Sequence, residues 1–152
     1  MKTTKRYGDE IDLALSMWVK LARASASFNK RTMKDIGGFG VTQAQFGVLE
    51  CLGHLGPMSL GELTKKMLVS GGNMTVVVNN LERDGYVKRT QDRKDRRVMR
   101  VRLSPKGKGF FDRIFMKHAE FVRKTASVLT PEEQKELGDL LRKLGCGLRE
   151  LS

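Results

Sequence analysis

Residues 70–103 decide the fold of this chain: SGGNMTVVVNNLERDGYVKRTQDRKDRRVMRVRL. The first part has apolar residues at helical spacing and predicts a helix over residues 71–84. It ends before Gly85, because glycine readily adopts a left-handed C-terminal cap. The pattern then changes to that of strands over residues 86–90 and 98–103, the second of which alternates apolar and basic side chains. The polar segment between the two strands predicts a hairpin.

The segments on both sides of this stretch are helical, and capping residues mark where the helices start. A Ser or Thr followed three positions later by Glu or Gln forms a capping box, in which each side chain bonds the other residue's backbone N–H. Such boxes begin at Thr42, Ser59 and Thr130. Pro105 and Pro131 suit the first helical position, where a missing N–H costs nothing. The helices predicted outside the first stretch cover residues 9–36, 42–55, 59–67, 105–128 and 131–150.

Together these elements predict a mainly α fold class with a small β-hairpin wing. The architecture is a winged helix-turn-helix with N- and C-terminal dimerisation helices. We expect a single domain over residues 1–152, with the DNA-binding lobe at residues 42–103. The predicted dimerisation helices are 9–36 and 105–151, since the first has a long apolar stripe and the last a row of leucines that a lone winged helix would not need. The alternative is that these helices pack on their own lobe.

The charge of the chain indicates an anionic partner. The formal net charge is +12, from 29 Lys and Arg against 17 Asp and Glu, and nucleic acid is the commonest partner of so basic a chain. The charge is concentrated at the predicted hairpin, since residues 88–108 contain ten basic and two acidic side chains. A solvated charge run is the usual alternative, but its position directly after the helix of residues 71–84 favours double-stranded DNA.

The helix of residues 71–84 has side chains suited to the major groove. Small residues at its start let the backbone approach phosphates, and the free N–H groups of a helix N-terminus favour anions. Ser, Thr and Asn offer donors and acceptors, Asn pairs with adenine, and an exposed Val packs on a thymine methyl. The alternative is a surface helix with a first turn weakened by glycine. The candidate DNA-binding residues here are Ser70, Gly71, Gly72, Asn73, Thr75, Val76, Asn79 and Asn80.

The hairpin tip resembles that of the MarR family of bacterial winged-helix regulators. Its sequence, DRKDRR at 92–97 followed by VRLSPKG at 101–107, is similar to the Asp-x-x-Asp-Arg-Arg tip and Leu-Thr-x-x-Gly exit of that family. The MT and LERDGYV segments within 74–87 and the TQAQFGVL stretch at 42–49 also resemble the family pattern. The resemblance to the family covers nearly the whole chain. The candidate DNA-binding residues of the wing are Arg93, Lys94, Asp95, Arg96 and Arg97.

The resemblance implies a transcriptional repressor, a homodimer held by its N- and C-terminal helices that binds a pseudo-palindromic operator. It also implies that Asp95 orders the wing while Arg96 or Arg97 enters the minor groove. One departure is Val76, where relatives often have a basic or polar residue, so the family pattern does not give the base preference at this position. By the same resemblance, the residues that face the major groove are Ser70, Gly72, Asn73, Thr75 and Val76.

Many members of the MarR family bind small aromatic or phenolic anions in a cleft between the dimer helices and the DNA-binding lobe. In this chain Trp18, Phe28 and Phe46 are candidates for lining such a cleft, with Arg113 as the partner of the anion. The alternative is that these aromatic side chains, which lie at helical spacing, belong to the core.

Other classes of function have little support in the sequence. It contains no Gly-rich phosphate loop, nucleophile signature or metal motif. We therefore expect that the protein is not an enzyme and that it binds no cofactor and no metal ion. Cys51 and Cys146 form no Cys-x-x-Cys pair and are expected to be small core residues of a cytoplasmic protein. We expect no membrane partner, because no apolar run is long enough for a span. The alternative function is a protein–protein interaction module that uses the winged helix without DNA.

Overall fold

The computed structural model describes residues 6–67, 71–92, 95 and 97–150. Over these residues the chain forms a mainly helical fold with a small antiparallel sheet, which confirms the predicted fold class. The elements in chain order are α1 (Asp9–Gly37), α2 (Gln43–Leu55), β1 (Met58–Ser59), α3 (Leu60–Met67), α4 (Gly71–Arg83), β2 (Val87–Gln91), β3 (Met99–Leu103), α5 (Pro105–Ala126) and α6 (Pro131–Glu150).

The predicted capping boxes are present at the starts of three helices. At α2 the backbone N–H of Gln45 donates to Thr42 Oγ1 at 3.2 Å, and the backbone N–H of Thr42 donates to Gln45 Oε1 at 2.9 Å. Ser59 pairs in the same way with the residue three positions later, and so does Thr130. Because each box satisfies two backbone groups locally, the sequence alone was enough to place these starts.

Helix α4 ends as its glycine predicts. Gly85 has φ +79°, in the left-handed region that glycine adopts without a steric penalty. The backbone N–H of Tyr86 donates to the carbonyl of Leu81 at 2.8 Å, and that of Gly85 donates to the carbonyl of Glu82 at 3.0 Å. These two bonds form a Schellman cap, which turns the chain directly from α4 into β2.

The sheet has one strand more than the predicted hairpin. Its order is β1-β3-β2, with both pairs antiparallel. Strand β1 consists of two residues, Met58 and Ser59, which pair with Val101 and Arg100 of β3. A strand this short has no periodicity of its own and depends on a partner more than 40 positions away in sequence, so the pattern of residues 56–59 did not indicate it. The pairing attaches the base of the wing to the start of α3.

The core lies between α2, α3, α4, the sheet and the start of α5. Leu49, Leu63, Leu81 and Val101 are fully buried. They come from four different elements, and burying such side chains away from water is the main stabilising contribution to the lobe. The orientation of α4 and the wing is therefore set by one shared apolar cluster.

The connection from the sheet into α5 depends on Ser104 and Gly107. The hydroxyl of Ser104 donates to the carbonyl of Gly85 at 2.6 Å and accepts from the backbone N–H of Gly107 at 2.9 Å. A Cβ atom on Gly107 would lie 1.8 Å from the carbonyl oxygen of Tyr86. The Ser-x-x-Gly spacing therefore packs the start of α5 against the end of α4.

The chain divides between His118 and Ala119 into two compact units. The first contains the winged lobe, α1 and the greater part of α5. The second contains the end of α5 and all of α6, where Gln134 Nε2 donates to the carbonyls of Ala126 and Leu129 at 3.3 and 3.0 Å. The expected extents of the single domain, the lobe and the dimerisation helices stay predictions.

The two cysteines have different surroundings. Cys51 is half-buried against the core, and burial raises the pKa of its thiol above the ordinary value. Cys146 is exposed on α6, so the expectation that it is a core residue is wrong, because α6 leaves this side of the helix uncovered. Among the described residues, no helix combines the length and apolar character needed to cross a membrane.

Candidate nucleic-acid interface

Helix α4 has one buried face and one exposed face. Met74, Val77, Val78 and Leu81 are buried in the core. The spacing of these residues is that of one helical stripe. The opposite face is exposed and is composed of Gly72, Asn73, Thr75, Val76, Asn79 and Arg83.

The exposed face of α4 contains most of the residues that the sequence predicted for DNA contact. Gly72 has open space where a side chain would be, so the backbone of the first turn is accessible. Asn80 is half-buried at the edge of the face. Ser70 lies outside the described residues. Gly71 is the first residue of α4.

A side chain from strand β2 reaches across to α4. Arg89 Nη2 donates to Asn79 Oδ1 at 2.6 Å, and Arg89 Nη1 pairs with the carboxylate of Glu82. The backbone N–H of Arg89 also donates to Glu82 Oε1 at 3.1 Å. These contacts, which we call the Arg89 clamp, join the second half of α4 to the first strand of the wing. The clamp was not predicted from the sequence, although Glu82 lies three positions before Gly85 and Arg89 four positions after it.

A second arginine holds the base of the wing. Arg100 Nε donates to the carboxylate of Asp92, and Arg100 Nη1 donates to Glu62 Oε2 at 3.3 Å and to the carbonyl of Pro57 at 3.4 Å. The pKa of Glu62 lies below its ordinary value, first because the backbone N–H of Ser59 donates to its carboxylate and then because the Ser59 hydroxyl does so. Arg100 thus connects the wing to the capping box of α3.

The turn of the wing is organised by Asp95. Its Oδ1 accepts from the backbone N–H of Arg97 at 3.0 Å and from Arg97 Nε at 3.2 Å, and its own backbone N–H donates to Asp92 Oδ1 at 3.1 Å. The side chain of Arg97 is 92% exposed. The other predicted wing residues, Arg93, Lys94 and Arg96, lie outside the described residues.

The described basic residues of the hairpin and of the start of α5 divide into two groups. Arg89, Arg97 and Arg100 form the pairs described above, while Lys106 Nζ donates to the carbonyl of Asp84 at 2.7 Å and Lys108 pairs with Asp112 at 2.8 Å. By contrast, Lys88 and Arg102 are exposed and face each other across β2 and β3. Like charges in opposed positions disfavour strand pairing, and a bound anion would relieve this repulsion.

The four residues expected to line a ligand cleft have different surroundings. Phe46 is 3% exposed, and its ring packs edge-on against His118 with the centroids 4.7 Å apart. His118 Nδ1 lies 2.7 Å from Asp35 Oδ2. Phe46 is therefore a core residue rather than part of an open cleft, which corrects the expectation, because α2 turns this position toward α5.

The other three candidate cleft residues lie on the surface. Trp18 is 62% exposed and Phe28 is 37% exposed, both on α1. The guanidinium of Arg113 is exposed and lies over the ring of Phe110, with its Cζ 5.5 Å from the centroid. A cavity of about 320 Å³ lies elsewhere, between the lobe and the start of α5, with Arg102 and Lys108 beside the apolar side chains of Leu52 and Phe111.

The geometry defines a class of protein. Two successive helices, α3 and α4, pack against a small sheet, and α4 presents an exposed polar face next to a basic hairpin. An exposed helix of this kind fits the major groove of B-DNA. This arrangement is that of a winged helix-turn-helix DNA-binding protein.

Comparison with known proteins gives the family. The model of the MarR family matches residues 41–99. The chain is 35% identical over 137 residues to the HTH-type transcriptional regulator YkoM of Bacillus subtilis, covering 90% of this chain and 89% of the relative. It is 32% identical to the HTH-type transcriptional regulator MhqR of the same organism, covering 90% and 94%. The chain belongs to the MarR family, and it is a DNA-binding transcriptional regulator rather than an enzyme.

A solved structure of a DNA-binding protein agrees with the predicted fold class. BpsR of Bordetella bronchiseptica is 26% identical, superimposes with a TM-score of 0.73, and is matched over 82% of this chain and 89% of its own. The predicted fold class and family are therefore confirmed.

Proposed function

We propose that this regulator is a homodimeric repressor that binds a pseudo-palindromic operator through α4 and the wing of each protomer. The observation that carries the proposal is the division of α4 into a buried apolar face and an exposed face of small and polar residues. In this proposal Gly72, Asn73, Thr75 and Val76 approach base edges and phosphates. Arg97 extends from the ordered turn into the neighbouring minor groove, where a narrow groove attracts arginine.

The other candidate residues of the wing and of the start of α4 belong to the same proposal. Arg93, Lys94, Arg96 and Ser70, which lie outside the described residues, are further candidate DNA contacts, as is Gly71 at the start of α4. In a two-fold dimer the paired α4 helices would lie about 34 to 36 Å apart, one turn of DNA. Because its ligand is DNA, we propose a cytoplasmic location.

Exposed apolar side chains on α1 and α6 support the homodimer. Ile11 and Trp18 on α1 are more than half exposed. On α6, Leu137, Leu141 and Leu148 form one stripe at helical spacing, and each is exposed. Contiguous apolar surface is uncommon on a monomer and marks association, so each of these helices has a face suited to a second copy of the chain.

A double substitution on α6 tests the dimer. Leu141→Glu with Leu148→Glu places charge on the apolar stripe and should give monomers in sedimentation equilibrium. Lys135→Glu is the matched control, because it lies on the opposite side of the helix from Leu137, and it should remain dimeric. A dimer that persists in the double variant would contradict this interface.

A small aromatic or phenolic ligand is proposed to release the repressor from DNA. The support is that 6-hydroxynicotinic acid regulates the DNA binding of BpsR. Trp18, Phe28 and Arg113 remain candidates for the cleft, and the cavity beside Arg102 is a second candidate location. Adding 6-hydroxynicotinic acid and simple phenols to the protein–DNA complex, with fluorescence anisotropy as readout, tests release. No change at millimolar ligand would contradict release by these compounds.

Selection of bound fragments from sheared genomic DNA tests the proposed function as a whole. Recovered sites should share two inverted half-sites, and their affinity should fall by about 0.9 log unit per released phosphate contact for each tenfold rise in salt. A reporter placed behind a recovered site should lose expression when the regulator is present. Weak binding without salt dependence would favour the alternative, a protein–protein interaction module.

A further inference from the structure

We infer that Arg89 is a positioning residue that fixes the amide of Asn79 as a hydrogen-bond donor toward DNA, so that Asn79 reads guanine rather than adenine. The inference rests on the proposed function, because it requires the exposed face of α4 to enter the major groove. Asn79 lies on that face, one helical turn beyond Thr75. It is therefore in position to reach a base edge further along the groove.

The orientation of the Asn79 amide follows from the chemistry of its partner. All guanidinium nitrogens carry hydrogens and donate, and none can accept. The amide atom 2.6 Å from Arg89 Nη2 must therefore be the oxygen, as it is in the structure. Rotating the amide by 180° would place two donors against each other. The NH₂ group of Asn79 is thus held on the side away from Arg89.

Arg89 itself is held at two points. Glu82 accepts from its backbone N–H and from Nη1 of its side chain, and the Arg89 side chain is only 23% exposed. A charge-assisted pair that is partly shielded from water is stronger and better ordered than a surface pair. The clamp thus fixes a guanidinium that would otherwise be mobile, and the guanidinium in turn fixes the amide.

The fixed amide changes which base suits Asn79. An asparagine that rotates freely pairs with adenine by donating to N7 and accepting from N6. The Arg89 contact turns the Asn79 oxygen toward the wing, so the NH₂ group, with its two hydrogens, is the group that faces the base edge. Guanine presents two adjacent acceptors, N7 and O6, at its major-groove edge. Guanine therefore matches the donors that Asn79 has available.

The test is selection of binding sites from a randomised duplex pool with four forms of the full chain. These are the wild type, Asn79→Ala, Arg89→Met and the control Lys88→Met. Lys88 is the matched control because it lies on the same strand and has the same charge. Its side chain points to the other side of β2.

The wild type should select a G·C pair at one position of each half-site. Asn79→Ala should lower the guanine preference there by roughly fivefold to 150-fold, the usual range for one specific base contact. Arg89→Met should shift the preference at the same position from guanine to adenine, because it frees the amide. Lys88→Met should lower the affinity for all sequences without changing the preference.

Three results would overturn the inference. The first is that the wild type prefers adenine at the position that Asn79→Ala affects. The second is that Asn79→Ala lowers the affinity for all sequences equally. The third is that Arg89→Met leaves the guanine preference unchanged. If Arg89→Met has a melting temperature well below that of the wild type, Asn79→Asp tests the inference instead. Its carboxylate keeps the contact with Arg89 but removes both donors, so the preference should change from guanine to cytosine, and a retained guanine preference would overturn the inference.

The outcomes also separate this inference from the proposed function. If the wild type selects no common sequence, the proposed operator binding fails together with the inference. If the wild type selects inverted half-sites but none of the substitutions at Asn79 changes them, only the inference fails.

Discussion

The exposed face of α4 and the wing differ in how they use charge. The described part of the α4 face has one charged residue, Arg83, among small and neutral side chains. The wing and the strands behind it are rich in arginine and lysine, yet Arg89 and Arg100 are bound to carboxylates of the lobe. Hydrogen bonds to base edges in the major groove distinguish bases, whereas contacts with phosphates add affinity without sequence information. Within the proposed function, we therefore expect α4 to contribute sequence recognition and the wing to contribute general affinity.

The largest expected effect is a loss of stability when a side chain is removed from the core that α4 and the wing share. Leu81→Ala removes a fully buried side chain of α4 and should lower the free energy of unfolding by about 2 to 5 kcal/mol, measured by urea denaturation. The control is Val76→Ala on the exposed face of the same helix, which should change stability by less than about 0.5 kcal/mol. Equal losses for the two variants would contradict the assignment of the α4 faces.

A smaller and selective effect is expected on the α4 face. Thr75→Ala should cost about 1 to 3 kcal/mol of binding free energy on a selected operator, because it removes a group placed to read a base. Its affinity for random duplex should be almost unchanged. Equal losses on the two duplexes, measured by fluorescence anisotropy, would show that Thr75 contacts only the DNA backbone.

The corresponding substitution in the wing should act on affinity alone. Arg97→Ala removes one exposed cation and should reduce the slope of log affinity against log salt by about 1. Operator and random duplex should lose affinity to the same extent. An unchanged salt slope would remove Arg97 from the set of DNA contacts.

The smallest effect concerns the attachment of the wing and depends on pH. The folded pKa of Glu62 is lowered by its hydrogen bonds. Its contribution to stability is therefore present above the ordinary carboxylate pKa of about 4.3, and it is lost as pH falls through the lower folded value. In the Glu62→Gln variant the free energy of unfolding should decrease less steeply as the pH is lowered from 5 to 3. Urea denaturation at a series of pH values in this range measures the decrease. An identical acid dependence in the two proteins would contradict the role of Glu62.

The sequence predicted the parts of the fold that are determined by neighbouring residues. The boxes at Thr42, Ser59 and Thr130 and the cap at Gly85 each depend on a few adjacent positions, so local chemistry was sufficient to find them. Strand β1 was missed because its two residues form a strand only by pairing with distant β3. Local patterns contain no information about such a partner.

The candidate site was predicted as a set of residues, but its internal contacts were not. The spacing of α4 indicated which residues could face DNA, while the link from Arg89 to Asn79 joins residues ten positions apart across a turn. The same limit explains why Phe46 was predicted to line a cleft although it lies in the core. An aromatic residue at helical spacing suits a cleft and a core equally well, and only the approach of His118 from α5 distinguishes the two.

The most direct test of whether α4 and the wing together form the DNA-binding surface is amide hydrogen exchange with and without a selected duplex. Binding should slow exchange in two separate segments, residues 71–80 of α4 and residues 91–99 of the wing, while exchange in α2 stays unchanged. Slowed exchange confined to α1 and α6, with α4 and the wing unaffected by DNA, would contradict the account.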